Sequence, residues 1–451
     1  MFLGLIQRNL NSHKRYIVEF SQQSNKKLNM KITFSFAGGL GHMKPLIPFM
    51  SELHSRGHSI TLFCAEDERN HSELKNEGLT DINVIKAGNK PPAINELMKD
   101  AGGFSNIISA GGPLGLLSAP LYPAITSYYE DKEHELPDVL VTDFFAPAAL
   151  DAGDALGVPV VVVFPNPISM LGLPPPKDRS IMNHVQALFL ANIGGYIFRR
   201  IVRKLRNNER KNRQLPSLKE QDIFPCLDQH RHIISLSAVG FEYDLKRSPL
   251  LHFVGPSPPA NPAPLGENLS SWIEMQTKPI VYVAFGTDNT FTPEALANLT
   301  NQLVSLSDDV SILWSLPAAQ QAYMPSEIKL PNTLRLENFV PQWSVLAHSN
   351  VKIFVTHNGS NSTYEGLLNK VPLVCCPTGK DQFANAARAK AAGVGVIVKN
   401  GAKGDVAKSV LDVFKDLSYY EDRLENLNTI FSKQGGAKTG SDVIEMVANT
   451  K

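Results

Sequence analysis

Five of the ten residues between 255 and 264, in the run GPSPPANPAP, are proline. Each fixes its own φ and removes a backbone donor, so neither a helix nor a central strand can pass through the run. The chain is thereby cut into two halves joined by a semi-rigid linker. With 451 residues in all, each half is long enough to bury a core of its own. This places an N-terminal domain over residues 30–254, a linker over 255–266 and a second domain over 267–433.

Both halves alternate short β-branched runs with helical periodicity. Strands are expected at 31–36, 59–64, 82–86, 138–142, 159–164 and 232–236. They recur at 280–285, 311–316, 333–336, 352–356, 372–375 and 395–398. Strands separated by helices pair in parallel, so each half reads as a Rossmann-like, doubly wound α/β domain that binds ligands at the carboxyl ends of its strands. The first strand runs into Ala37-Gly38-Gly39-Leu40-Gly41-His42, and one helix is expected from there to about residue 56. Leu46, Met50 and Leu53 form its buried stripe, and Pro45 suits its first turn. Lys44 stands where a G-x-G-x-x-G fingerprint needs its third glycine, which argues against a nicotinamide cofactor.

Lys and Arg number 44 against 43 Asp and Glu, a balance that gives nucleic acid little to hold. The four cysteines form no C-x-x-C pair; Cys64, Cys375 and Cys376 sit in or beside apolar runs and read as buried free thiols in a reducing compartment. No run reaches the ~18–20 apolar residues of a transmembrane helix, and the chain reads as cytoplasmic. Residues 1–29 are basic and rich in Asn, Gln and Ser, and read as a disordered extension or an upstream start. Loops rich in Gly and Ser (101–115) or Pro (165–180) follow strands of the first half. The basic end of the helical stretch 181–212, with Arg199, Arg200, Arg203, Lys204 and Arg206, reads as a solvated face. Asp151 and Asp154 read as exposed helix carboxylates.

The sharpest local pattern follows the strand at 352–356. His357-Asn358-Gly359-Ser360-Asn361-Ser362 makes a polar turn, and a helix is expected over 363–369. A strand, a glycine turn and a helix start make an anion site, because the first helical N–H groups and the dipole favour negative charge. The plainer alternative is that these residues only cap the helix.

The surrounding stretch 339–386 resembles the signature box of the family 1 UDP-glycosyltransferases. It carries F-x-P-Q, V-L-A-H, F-V-T-H-x-G-x-N-S-x-x-E-G, V-P-L and D-Q-x-x-N-A without a gap. The resemblance implies a GT-B fold, with two Rossmann-like parallel-sheet domains facing a central cleft and residues 434–451 returning as a helix to the N-terminal domain. It implies that Phe339 stacks on uracil in place of the usual Trp, that Val340 and Gln342 meet the base and ribose, and that Glu365 accepts the ribose hydroxyls. His357, Gly359, Ser360, Asn361 and Ser362, with Gly286 and Thr287 of the F-G-T loop, would hold the diphosphate, and Asp381 and Gln382 the sugar. Asn358, and Ser360 where plant members carry Trp, depart from the family pattern.

The same resemblance, through Gly41-His42-x-x-Pro45 and the D-F-F-A run at Asp143, makes His42 the general base and Asp143 its orienting carboxylate. A histidine titrates near neutrality, which suits that task. The implied reaction is inverting transfer of a hexose, glucose first, from a UDP-sugar to a hydroxyl of a small lipophilic acceptor. UDP-glucuronate or UDP-N-acetylglucosamine users share much of the box, and a silent UDP-sugar binder is the rival from another class. No D-x-D pair is present, so neither a metal nor another cofactor is expected, and donor and acceptor in separate domains imply closure during turnover.

Overall fold

The computed structural model describes residues 29–89, 117–167, 200, 203–204, 206–219, 230–242, 248–286, 289–324, 328–379 and 381–450. The expectations for residues 1–28, the loop at 101–115, residues 168–199 and Thr287 lie outside them. The chain forms two compact units.

The first unit takes the described residues up to Val239, those of 243–260, and the C-terminal segment from Gln434. Its sheet contains β1 (Lys31–Ser35), β2 (Ser59–Glu66), β3 (Asn83–Asn89), β4 (Val139–Asp143), β5 (Val160–Phe164), β6 (His232–Ser235) and β7 (Leu251–Phe253). Their order is β3-β2-β1-β4-β5-β6-β7, and every pairing is parallel. β4 (VLVTD) and β5 (VVVVF) are buried along their whole length, as strands covered on both faces must be. β7 had no signature in the sequence, since three residues are too few to show an alternation.

The single helix expected after β1 is two: Leu40–Met43 and Ile47–Ser55. Pro45 falls in the break between them, where its missing N–H ends one ladder, and Pro48 occupies the first turn of the second. Leu46, Met50 and Leu53 are fully buried as the stripe required. The helix Gly436–Ala448 belongs to this unit. Arg56 Nη1 reaches Asp442 (2.8 Å) and Glu445 (2.9 Å), and His58 Nε2 lies 3.1 Å from Glu445.

Asp151 is not a surface carboxylate, and Asp154 is only partly exposed. Asp151 lies on the helix Pro147–Leu156, fully buried, and accepts from Arg206 Nη2 (2.7 Å), Arg210 Nη1 (2.6 Å) and Arg213 Nη1 (2.5 Å). Asp154 accepts from Arg210 and Arg231. Arg206, expected in solvent, is buried with its guanidinium pushed down by burial, against the pull of Asp151. Nothing local announced this pairing, because the arginines lie 55 to 62 residues from Asp151.

The second unit comprises the described residues of 261–433 together with Gly240–Glu242. Its strands are β8 (Ile280–Ala284), β9 (Ser311–Ser315), β10 (Leu334–Glu337), β11 (Val351–Thr356), β12 (Leu373–Cys375) and β13 (Gly395–Ile397), in the order β10-β9-β8-β11-β12-β13, all parallel. Val283, Leu299, Ile312, Trp314, Ile353 and Val410 lie in its core. Buried Glu242 accepts from buried Arg388 Nε at 3.1 Å, and Phe241 packs on Tyr364 and Phe431.

Both units are thus Rossmann-like parallel sheets, each with one switch point where the strand order reverses. Among the described residues no helix is long and apolar enough to cross a membrane. Burial pushes the thiols of Cys64 and Cys375 up to about 11 and about 12, which leaves both inert at neutral pH.

Candidate functional site

In the first unit the switch point lies between β1 and β4. His42 sits on the one-turn helix after β1, and Asp143 is the last residue of β4. Their Nδ1 and Oδ2 atoms are 2.8 Å apart. A carboxylate only accepts, so Nδ1 carries the proton and Nε2 keeps its lone pair. Asp143 is 2% exposed and His42 30%, which makes the imidazole the part that a ligand can reach. Burial raises the Asp143 carboxyl above its usual range, against the opposing bond and charge of His42. Phe145 stands edge-on to the imidazole at 5.1 Å. A histidine held this way can take a proton at Nε2 while the buried carboxylate stabilises the cation.

The second unit has its switch point between β8 and β11. Gly286 follows β8, and His357, Asn358 and Gly359 follow β11. The next helix is Ser360–Leu368, starting three residues before the expected 363. Gly359 is its N-cap in extended backbone, and no side chain caps it. Glycine has no side chain to cap with, and Ser360 and Ser362 fall inside the helix, past the N-cap. Ser360 Oγ donates to Asp381 Oδ2 (3.1 Å), and Ser362 Oγ accepts from Gln342 Nε2 (3.2 Å). The helix start therefore presents its positive end without a capping side chain. A Cβ on Gly359 would lie 2.6 Å from His357 Nε2, and one on Gly286 would lie 2.9 Å from His357 Cε1, so the imidazole is seated between two backbones that approach it closely.

Further contacts engage Gln342, Glu365, Gln382, Ser360 and Asp381. Gln342 Nε2 donates to Glu365 Oε2 at 2.7 Å. Gln382 Oε1 accepts from the backbone N–H of Thr378 (2.8 Å) and Gly379 (3.2 Å), so its carbonyl braces that loop. Asn385 Nδ2 lies 2.8 Å from the carbonyl of Asn358 and 3.2 Å from both Ser360 Oγ and Asp381 Oδ2. Asn385 had no role in the sequence reading, although it is the Asn of D-Q-x-x-N-A. Asn358, at φ +65° and fully buried, occupies the left-handed region that Asn tolerates better than most residues, which gives its departure from the pattern a backbone reason. Phe339 is 74% exposed, whereas Val340 is buried. Among the described residues no group of three His, Cys, Asp or Glu could hold a metal.

The family model for "UDP-glucoronosyl and UDP-glucosyl transferase" matches residues 195–435, more than half of the chain. The chain belongs to this family. Among similar proteins, the 2-hydroxyacylsphingosine 1-beta-galactosyltransferase of Rattus norvegicus is 28% identical over 202 residues. That match covers 44% of this chain and 36% of the rat protein, so the chain spans little more than a third of that relative. The 4'-demethylrebeccamycin synthase of Lentzea aerocolonigenes is 25% identical over 410 residues, covering 86% of this chain and 93% of that one. The solved glycotransferase of kitacinnamycin superposes with a TM-score of 0.70 at 19% identity, over 93% of this chain and 99% of that chain. The last likeness concerns the fold, which is GT-B. His42 and Asp143 follow the two strands at the switch point of the first sheet, and Gly286 and His357–Gly359 follow the two at the switch point of the second.

Proposed function

We propose that the protein transfers a hexose from a UDP-sugar to a hydroxyl group of a small lipophilic acceptor, with inversion. The observation that carries this reading is the 2.8 Å contact between His42 Nδ1 and buried Asp143 Oδ2. His42 Nε2 takes the acceptor's hydroxyl proton, and the oxygen attacks the anomeric carbon. The bond from that carbon to the diphosphate breaks, and UDP leaves with the electron pair. Its charge falls on the start of the helix Ser360–Leu368 and on His357, which lets departure proceed without a metal. Phe339 offers its exposed face to uracil, and Glu365 the ribose-binding carboxylate. The sugar falls to Asp381, with Gln382 bracing its loop.

Glucose is the first donor to test, and galactose the second because the rat relative is named for it. That relative's acceptor, a sphingosine derivative, supports a lipophilic class. The test is product formation from UDP-glucose, UDP-galactose and UDP-glucuronate against phenolic, sterol and long-chain alcohols. Glycoside from any pair sustains the reading. Binding of UDP with no product from any pair would favour a silent binder.

A local prediction bears on the diphosphate. Gly359 has φ −58° and ψ 151°, open to any residue, so Gly359→Ala acts only through its Cβ against His357. Displacing the ring is expected to weaken UDP binding by about 1–2 kcal/mol, in the range of overpacking. Calorimetric titration checks this, and an unaltered Kd would exclude the imidazole from the site.

A further inference from the structure

We propose that Tyr282 is a positioning residue that fixes the amide of Gln342 and, through it, holds Glu365 ready to read the ribose; this rests on the nucleotide reading above. Tyr282 lies in the middle of β8, 1% exposed, its ring stacked on Phe354 at 5.0 Å. Packing alone would be served as well by phenylalanine. A hydroxyl buried in a central strand needs a partner, and this one donates to Gln342 Oε1 at 3.3 Å.

The consequence is orientational. A carboxamide fits its cavity in two nearly isosteric ways that exchange a donor for an acceptor. With Oε1 held by Tyr282, the Nε2 end faces Glu365 Oε2 (2.7 Å) and Ser362 Oγ (3.2 Å). The reversed amide would set its oxygen against the carboxylate and push Glu365 aside. Burial and the nearby Glu365 charge push the phenol's own ionisation well above its usual range, so it stays a donor at any working pH. Tyr282 therefore acts on the ligand only through Gln342.

The test is calorimetric titration of UDP and 2'-deoxy-UDP into the wild-type chain, Tyr282→Phe, Gln342→Met and the double variant. The wild type is expected to prefer UDP by about tenfold or more, the value of a hydrogen bond to a charged group. Tyr282→Phe should reduce that preference by roughly threefold to tenfold, mainly by weakening UDP. Gln342→Met, at a half-buried position, should do the same, and the double variant should lose no more than Gln342→Met alone. An undiminished preference in Tyr282→Phe, or losses that add in the double variant, would overturn the proposal alone. A wild-type chain that does not bind UDP would remove the nucleotide reading and this proposal with it.

Discussion

Replacing His42 with alanine is expected to reduce glycoside formation by roughly 10²- to 10⁴-fold, the usual worth of a positioned general base, while UDP affinity stays at the wild-type value. The split follows from position: His42 belongs to the β1–β4 switch point, and the residues proposed to hold the nucleotide belong to the other unit. Steady-state kcat beside a UDP titration checks it, and turnover that survives the loss of His42 would assign the proton to another group.

Asp143→Asn should lower turnover as well, because an amide can bond Nδ1 but does not stabilise the imidazolium. Its effect on stability has the opposite sign. Burial holds the Asp143 pKa in the folded state above its ordinary value. The carboxyl therefore stabilises the fold below the ordinary value, and that contribution is lost as pH rises through the folded pKa. Asparagine carries no charge to bury, so the variant's Tm relative to wild type should rise between acid and neutral pH. Melting curves at pH 4 and pH 7 read this directly. A variant less stable at pH 7 than at pH 4, relative to wild type, would mean that the bond to His42 outweighs burial.

The second large effect is one of stability. Asp151→Ala is expected to cost about 3–5 kcal/mol, since it leaves buried cations without their partner. Three guanidinium groups reach this one carboxylate, and Arg210, 4% exposed, would be left with Asp154, itself partly exposed. Asp154 is 27% exposed, and Asp154→Ala should cost far less. Urea unfolding midpoints separate the two, and equal losses would contradict the network. The network also bears on chemistry. Arg206 Nη2 donates to the carbonyl of Pro147, first residue of the helix that follows Asp143. A reduced kcat in Asp151→Ala at temperatures where it remains folded would trace that coupling.

Strand–helix alternation, the proline break and the box at 339–386 are local patterns, because a residue's backbone preference depends on itself and its near neighbours. They announced two doubly wound domains, and the family besides. The same locality set the limits of that reading. Pro45 broke the first helix, and the helix after Gly359 began early because its start needs only an extended residue ahead of it. The sequence by itself named the candidate residues: His42 and Asp143 in one half, His357 to Glu365 in the other. Only the tertiary structure decided what those residues touch. His42 and Asp143 are 101 residues apart, Tyr282 and Gln342 60, and Asp151 and its arginines 55 or more. A carboxylate is a surface charge or a buried keystone according to what the sheet order brings beside it, and that is set by distant chain segments packing together rather than by its neighbours in sequence.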